Sequence, residues 1–240
     1  MLHGGVRVFG GTFFVFSDYL KGALRLSALQ NLPVTYVFTH DSIAVGEDGP
    51  THEPIEHLAS LRTIPNTYVF RPADATETQA AWYLSQKTNN RPTSIVLTRQ
   101  NLPILENSSF EKVSKGAYVV YETAVDFDTI LIATGSEVAL AIDVARELEK
   151  DGFKVRVVSM PSVELFEEQS KEYKEELLPL NIRRRVSLEM GNSALWYKYV
   201  GIDGLVIGID KFGASAPANK VIEEYGFTVE AVVEKIKNEL

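Results

Sequence analysis

The sequence predicts an α/β fold, with two parallel-sheet α/β domains in succession. Three observations predict it. Short β-branched runs alternate with helical periods along the chain. A polar stretch without sustained period separates two such arrays. The 240 residues suffice for one large or two modest domains, because single cores stop growing near ~250 residues.

In the first array the expected strands are Val6–Phe9, Val34–Phe38, Tyr68–Phe70 and Ile95–Leu97. Helices are expected near Phe13–Leu29, Pro54–Arg62 and Ala75–Lys87. The third has the clearest start, since Asp74 can cap it and Glu77 falls three residues later as the capping-box partner. Residues 104–116 are polar and aperiodic, so the division expected is a domain over 1–105, a linker over 106–117 and a domain over 118–240. In the second array the strands are Tyr118–Tyr121, Thr129–Ala133, Val155–Ser159, Arg185–Leu188 and Leu205–Ile209. A helix should run from a Ser136 cap to a Gly152 stop. The last helix, from Thr228, places Val229, Val232, Val233, Ile236 and Leu240 on one buried stripe. The first strand begins with no preceding cap or polar tail, so the chain is expected to open inside a domain.

Apolar residues make up 45% and charged residues 23% of the chain, ordinary usage for a globular protein and against disorder. Lys and Arg total 24 against 32 Asp and Glu, a net of −8. That balance offers no basic field for nucleic acid or for an anionic membrane. Cysteine is absent, which excludes disulfides, thiolate nucleophiles and thiolate metal sites and fits a reducing cytoplasm. No run approaches the ~18 apolar residues of a membrane helix, and the start lacks a signal-peptide layout.

Ligands of parallel sheets lie beyond the carboxyl ends of the strands. Three runs end in Thr39-His40-Asp41, Arg71, and Thr98-Arg99-Gln100. Together, two arginines and a histidine would make an anion-binding floor; singly, each would cap a strand or pair with a carboxylate. The segment Thr39–Pro54 holds two histidines, four carboxylates and two glycines in sixteen residues, and loops of this kind carry function. His52 and His57 are five apart with Pro54 between them, so the helical metal pair fails on spacing and no metal ligand is expected here. Phe13, Phe16 and Leu20 share a helical face, which by spacing alone reads as core ahead of an aromatic cage for a flat ligand. Ala133-Thr134-Gly135-Ser136-Glu137 reads as a tight turn into a helix, without a dinucleotide or P-loop pattern.

At these segments the sequence resembles the transketolase family. The matching stretches are Gly10-Gly11-Thr12-Phe13 with Phe16 and Tyr19, the block from Thr39 to His52, Arg71-Pro72-Ala73-Asp74, and Thr98-Arg99-Gln100-Asn101-Leu102-Pro103. The likeness is strong over residues 2–103 and looser beyond. It implies an N-terminally truncated thiamine-pyrimidine-binding domain followed by the family's C-terminal domain. It further implies a thiamine-diphosphate and Mg2+ dependent transferase. Such an enzyme moves a two-carbon ketol unit from a ketose phosphate to an aldose phosphate in the pentose phosphate pathway, as a cytoplasmic homodimer. Carried over by position, Phe13, Phe16 and Tyr19 resemble the pyrimidine pocket. His40 and Arg99 resemble the residues that hold the substrate phosphate, Asp48 the acceptor of a substrate hydroxyl, and His52, with His40, the catalytic histidines. The glutamate that activates the aminopyrimidine, the diphosphate site and the metal ligands have no counterpart here. The chain alone is therefore expected to be inactive and to bind the cofactor weakly. Two further readings are a non-catalytic subunit of a split thiamine-diphosphate enzyme and a stand-alone sugar-phosphate or nucleotide binder. Within the thiamine class, dihydroxyacetone synthase and deoxyxylulose-phosphate synthase are near competitors, and Asp48 with His40 and Arg99 favours sugar-phosphate transfer over 2-oxo acid decarboxylation.

Overall fold

The computed structural model describes all residues, Met1–Leu240. The first sheet is four-stranded and wholly parallel, in the order β1-β2-β4-β3, from β1 (Phe9–Phe13), β2 (Thr35–Thr39), β3 (Tyr68–Phe70) and β4 (Thr93–Leu97). Its helices are α1 (Ser17–Leu29), α2 (His57–Arg62) and α3 (Ala75–Lys87). The Asp74 carboxylate accepts from the Glu77 amide at 2.9 Å and caps α3.

Local expectations shift: the helix expected over Pro54–Arg62 begins only at His57, the strand expected to Ile209 ends at Ile207, and the start of the chain changes most. The first strand forms at Phe9–Phe13 and not at Val6–Phe9, because pairing with β2 begins at Phe9 opposite Thr35. Glycines weaken a strand by propensity, yet a Cβ on Gly11 would stand 3.2 Å from the Val37 carbonyl, so close approach explains that glycine. The helix expected from Phe13 is split: Phe13 ends β1, Phe14–Phe16 make one 3-10 turn, and the α-helix starts at Ser17. Phe14, fully buried, is the core aromatic of this stretch; Phe13 is 38% exposed.

Residues 98–117 connect the sheets and carry a 3-10 turn, Lys112–Lys115, anchored by the fully buried Val113. Gly116 has φ +81°, and a Cβ there would meet the Phe166 amide nitrogen at 2.1 Å.

The second sheet has the order β5-β7-β6-β8-β9, from β5 (Tyr118–Glu122), β6 (Thr129–Ala133), β7 (Val155–Ser159), β8 (Arg184–Leu188) and β9 (Leu205–Ile207). It is not wholly parallel, since β5 runs antiparallel to β7. Only residues 123–128 join β5 to β6, too few for the crossover of a dozen or more residues that a parallel return requires. The helices are α4 (Glu137–Lys150), α5 (Val163–Glu167), α6 (Lys171–Leu177), α7 (Tyr197–Val200), α8 (Ala218–Glu224) and α9 (Val229–Glu239). Ser136 makes no capping bond to the α4 backbone; its hydroxyl turns to Glu137 instead. Thr228 does cap α9.

One buried cluster runs from Ile43, Phe70 and Ile95 of the first unit through Leu131, Val157 and Ile236 of the second. The two units therefore share a continuous core.

Candidate active site

The carboxyl edge of the first sheet brings together five residues singled out from the sequence. Phe13 ends β1 and His40 follows β2; their rings are stacked 4.4 Å apart. Phe16 stacks on Phe13 at 6.2 Å and meets Tyr19 at 6.0 Å. The His52 ring stands near perpendicular to both phenylalanines, 6.3 Å from Phe13 and 5.5 Å from Phe16. The β1 edge and the first turn of α1 thus carry an aromatic surface onto which two imidazoles fold. Much of it is open, with Tyr19 88% exposed.

His40 has φ +67°, a left-handed conformation uncommon outside glycine, which turns the chain sharply at the end of β2. Its Nδ1 is buried without a partner. Burial first, then the positive charge of Arg99, lowers the His40 pKa against the opposing pull of Asp48 and Asp41. The imidazole is neutral at pH 7. Arg99 and Asp48 are both exposed, and neither forms an ion pair. His52 Nδ1 pairs with the Thr51 hydroxyl at 3.0 Å, which leaves Nε2 free.

Arg71 does not join this surface. It is fully buried and spends its guanidinium inside the protein, donating from Nε to Asp41 at 2.9 Å and from Nη1 to the Thr134 carbonyl at 3.0 Å. Two further bonds run to Glu137, the second from Nη2 at 3.2 Å. The anion floor therefore loses one arginine, because two buried carboxylates claim it. Gly135, with φ +55°, is required here: a Cβ would lie 2.7 Å from the Arg71 guanidinium carbon. That accounts for the glycine in the turn after β6.

The same network extends through Glu189. Arg62 binds it with two bonds of 2.7 and 2.8 Å, and Thr134 and Trp196 donate to it at 2.6 and 2.9 Å. Burial would raise the Glu189 carboxyl, but Arg62, then Arg71 and Thr134, pull it down to about 2. A second cross-domain group is Glu77, fully buried, which accepts from Tyr118 at 2.8 Å and Ser159 at 2.5 Å. Apart from Trp196, seven residues on from Glu189, these partners lie 41–127 residues apart in sequence, and no local spacing announces them.

Asp18, Glu56 and His57 bring ligand-type atoms within 4.8 Å of one another. Asp18 sits in the first turn of α1 and Glu56 stands at the N-cap position of α2 without a capping bond, where carboxylates complement the helix dipoles. His57 Nε2 lies 3.3 Å from Asp18. Two carboxylates at helix starts, with the buried His57 ring between them, account for this group.

Fold and site define a pair of α/β domains that offers an aromatic shelf, two histidines and an unpaired arginine along a parallel sheet's carboxyl edge. The transketolase pyrimidine-binding domain model matches residues 1–104, and the transketolase-like C-terminal domain model matches residues 116–228. The probable transketolase of Streptococcus pneumoniae is 69% identical over 99% of this chain and 36% of that protein. The transketolase structure from Leishmania mexicana superposes with a TM-score of 0.94 at 45% identity, over 99% of this chain and 34% of that one. A Pichia stipitis transketolase in complex with sedoheptulose 7-phosphate gives 0.91 at 46% identity, over 96% of this chain and 33% of that one. The chain belongs to the transketolase family. It corresponds to the C-terminal portion and spans about a third of the length of these relatives.

Proposed function

We propose that the chain is the part of a transketolase that binds the cofactor's pyrimidine and the substrate's phosphate. In a full-length homodimer it would serve transfer of a two-carbon ketol unit from a ketose phosphate to an aldose phosphate, in the pentose phosphate pathway of the cytoplasm. The observation that carries this reading is the convergence of Phe13, Phe16 and Tyr19 with His40 and His52 on one open surface. A flat heteroaromatic ring fits such a shelf by stacking. The domain division at 1–105 and 118–240, joined by 106–117, belongs to the same proposal.

Thiamine diphosphate, when bound, supplies a thiazolium that takes up the electron pair released as the ketose carbon–carbon bond breaks. The residues of this chain bind and orient. Arg99, exposed and unpaired, meets the substrate phosphate, and neutral His40 adds a ring N–H to it. Asp48 accepts a hydrogen bond from a substrate hydroxyl. His52, held through Nδ1 by Thr51, offers Nε2 to substrate hydroxyls and moves a proton there. No residue of this chain is assigned to the diphosphate or to Mg2+.

The exposed edge strand β1, with Phe9 70% exposed, fits a surface covered by the remainder of the enzyme. Identity of 69% to a transketolase over 99% of this chain favours this reading over a split-enzyme subunit or a stand-alone binder. The test is co-expression with the cofactor-binding portion of a transketolase and assay of ketol transfer between sugar phosphates. Transfer by the assembly supports the proposal. A folded, cofactor-loaded assembly with no transfer sinks it.

A further inference from the structure

The loop that carries Asp48 and His52 is held from behind by the second domain. Ser215 Oγ donates to the Glu47 carbonyl at 2.7 Å. Gly46 has φ +87°, and a Cβ there would meet the Ala218 amide nitrogen at 3.2 Å and the Ala216 carbonyl at 3.3 Å. Gly49, with φ +77°, would meet the Ser215 side chain at 3.0 Å. At the end of the loop the Asn192 amide donates to the Ile55 carbonyl at 2.9 Å. The loop glycines are thus the residues that let two backbones from different domains lie against each other.

Glu53 closes this contact. Its side chain is 2% exposed, it enters no ion pair, and neither carboxyl oxygen has a close hydrogen-bond partner. A Cβ at Gly213 would fall 1.6 Å from Glu53 Oε2, so only glycine fits opposite the carboxyl. The backbone of Gly46 on one side and Ala214 on the other faces the same group. A buried, unpaired carboxylate is costly, and burial lifts the Glu53 pKa to about 7 against the pull of those two amides. Burial thus favours protonation of this carboxyl over its usual range.

We infer that Glu53 is a positioning residue: wedged against Gly213, it registers the Gly46–His52 loop on the Gly213–Ala218 segment, so that Asp48 and His52 face the aromatic shelf. The C-terminal domain then sets the geometry of the loop that carries Asp48 and His52. That Asp48 and His52 touch substrate rests on the proposed function; the registration itself does not.

The test uses the 240-residue chain without cofactor or substrate. Amide hydrogen exchange is followed over residues 46–52, with the His52 ring resonances and the melting temperature read in parallel. Glu53→Ala and Gly213→Ala are expected to speed loop exchange by about tenfold or more while β2 and β6 keep their protection. The His52 resonances should move in both. Glu53→Gln, a neutral isostere, should retain wild-type loop exchange and wild-type His52 resonances. If Gly213→Ala unfolds the chain, Ser215→Ala, which deletes the bond to Glu47, stands in for it with the same expected direction. Unchanged loop exchange in Glu53→Ala and the glycine or serine variant overturns the inference, as does a Glu53→Gln loop as loose as that of Glu53→Ala. Because no reaction is assayed, an assembly lacking ketol transfer would leave this result standing, and the reverse holds equally.

Discussion

The Phe13 ring lies 4.4 Å from the His40 imidazole and 27° from parallel with it, joining the end of β1 to the end of β2 across the sheet's carboxyl edge. Phe14, one residue on, points the other way into the core beside Phe38 and His57. Adjacent aromatics therefore have separate tasks, and substitutions should separate them. Phe13→Ala in the full-length enzyme should weaken thiamine diphosphate binding roughly tenfold to a hundredfold, from ~1.5–3 kcal/mol of lost aromatic burial, with little change in melting temperature. Phe14→Ala should instead cost ~3–5 kcal/mol of stability. Cofactor titration and thermal melting of both variants decide it, and equal behaviour would remove Phe13 from the pocket.

Arg99 is exposed and without a carboxylate partner. In the full-length enzyme Arg99→Ala should raise KM for phosphorylated sugars by roughly tenfold to a hundredfold, the range of one lost charge-assisted bond, with kcat much less affected. Sugars without a phosphate should be indifferent to the change. Equal losses for both substrate classes would show that Arg99 does not hold the phosphate.

Arg71 neutralises Asp41 and Glu137 in a fully buried setting. Arg71→Met leaves both carboxylates buried and unpaired, which typically costs ~3–5 kcal/mol. The melting temperature of the chain should fall by roughly 6–20 °C at ~2–4 °C per kcal/mol for a domain of this size. Circular dichroism melting measures it. A drop under ~2 °C would mean that the pair contributes little to domain docking.

Glu53 and Glu189 give the stability of the chain opposite pH slopes. The Glu53 pKa is raised from 4.5 to about 7 in the folded state. The folded protein therefore binds more protons than the unfolded one between those values, and stability falls as pH rises from 4.5 to 7. The Glu189 pKa is lowered from 4.5 to about 2, so its contribution is present above pH 4.5 and lost as pH falls towards 2. Urea unfolding at intervals from pH 3 to 8 should show the upper slope in the wild-type chain and a flatter one in Glu53→Gln. A wild-type curve that rises steadily from pH 4.5 to 7 would contradict the Glu53 assignment.

The 240-residue chain by itself should not bind thiamine diphosphate with micromolar affinity, since under the proposed function its shelf would receive only the pyrimidine half. Calorimetric titration tests this, and a micromolar dissociation constant would overturn it.

Much of this was legible in the amino-acid order. Alternation of β-branched runs with helical periods determined two α/β units, Asp74 marked a helix start by local capping, and the motifs around Phe13, His40, Asp48, His52 and Arg99 pointed to one family. These are short-range signals: a cap, a period or a motif is complete within a few residues. The tertiary structure decided the rest. It drew Arg71 away from the sheet edge to Asp41 and Glu137, reversed β5, assigned Phe13 to the shelf and Phe14 to the core, and set Glu53 against Gly213. Each of these depends on a partner far along the chain. An arginine at a strand end looks the same to its neighbours whether it faces solvent or two buried carboxylates, and only packing, through burial and the need to pair buried charge, distinguishes them.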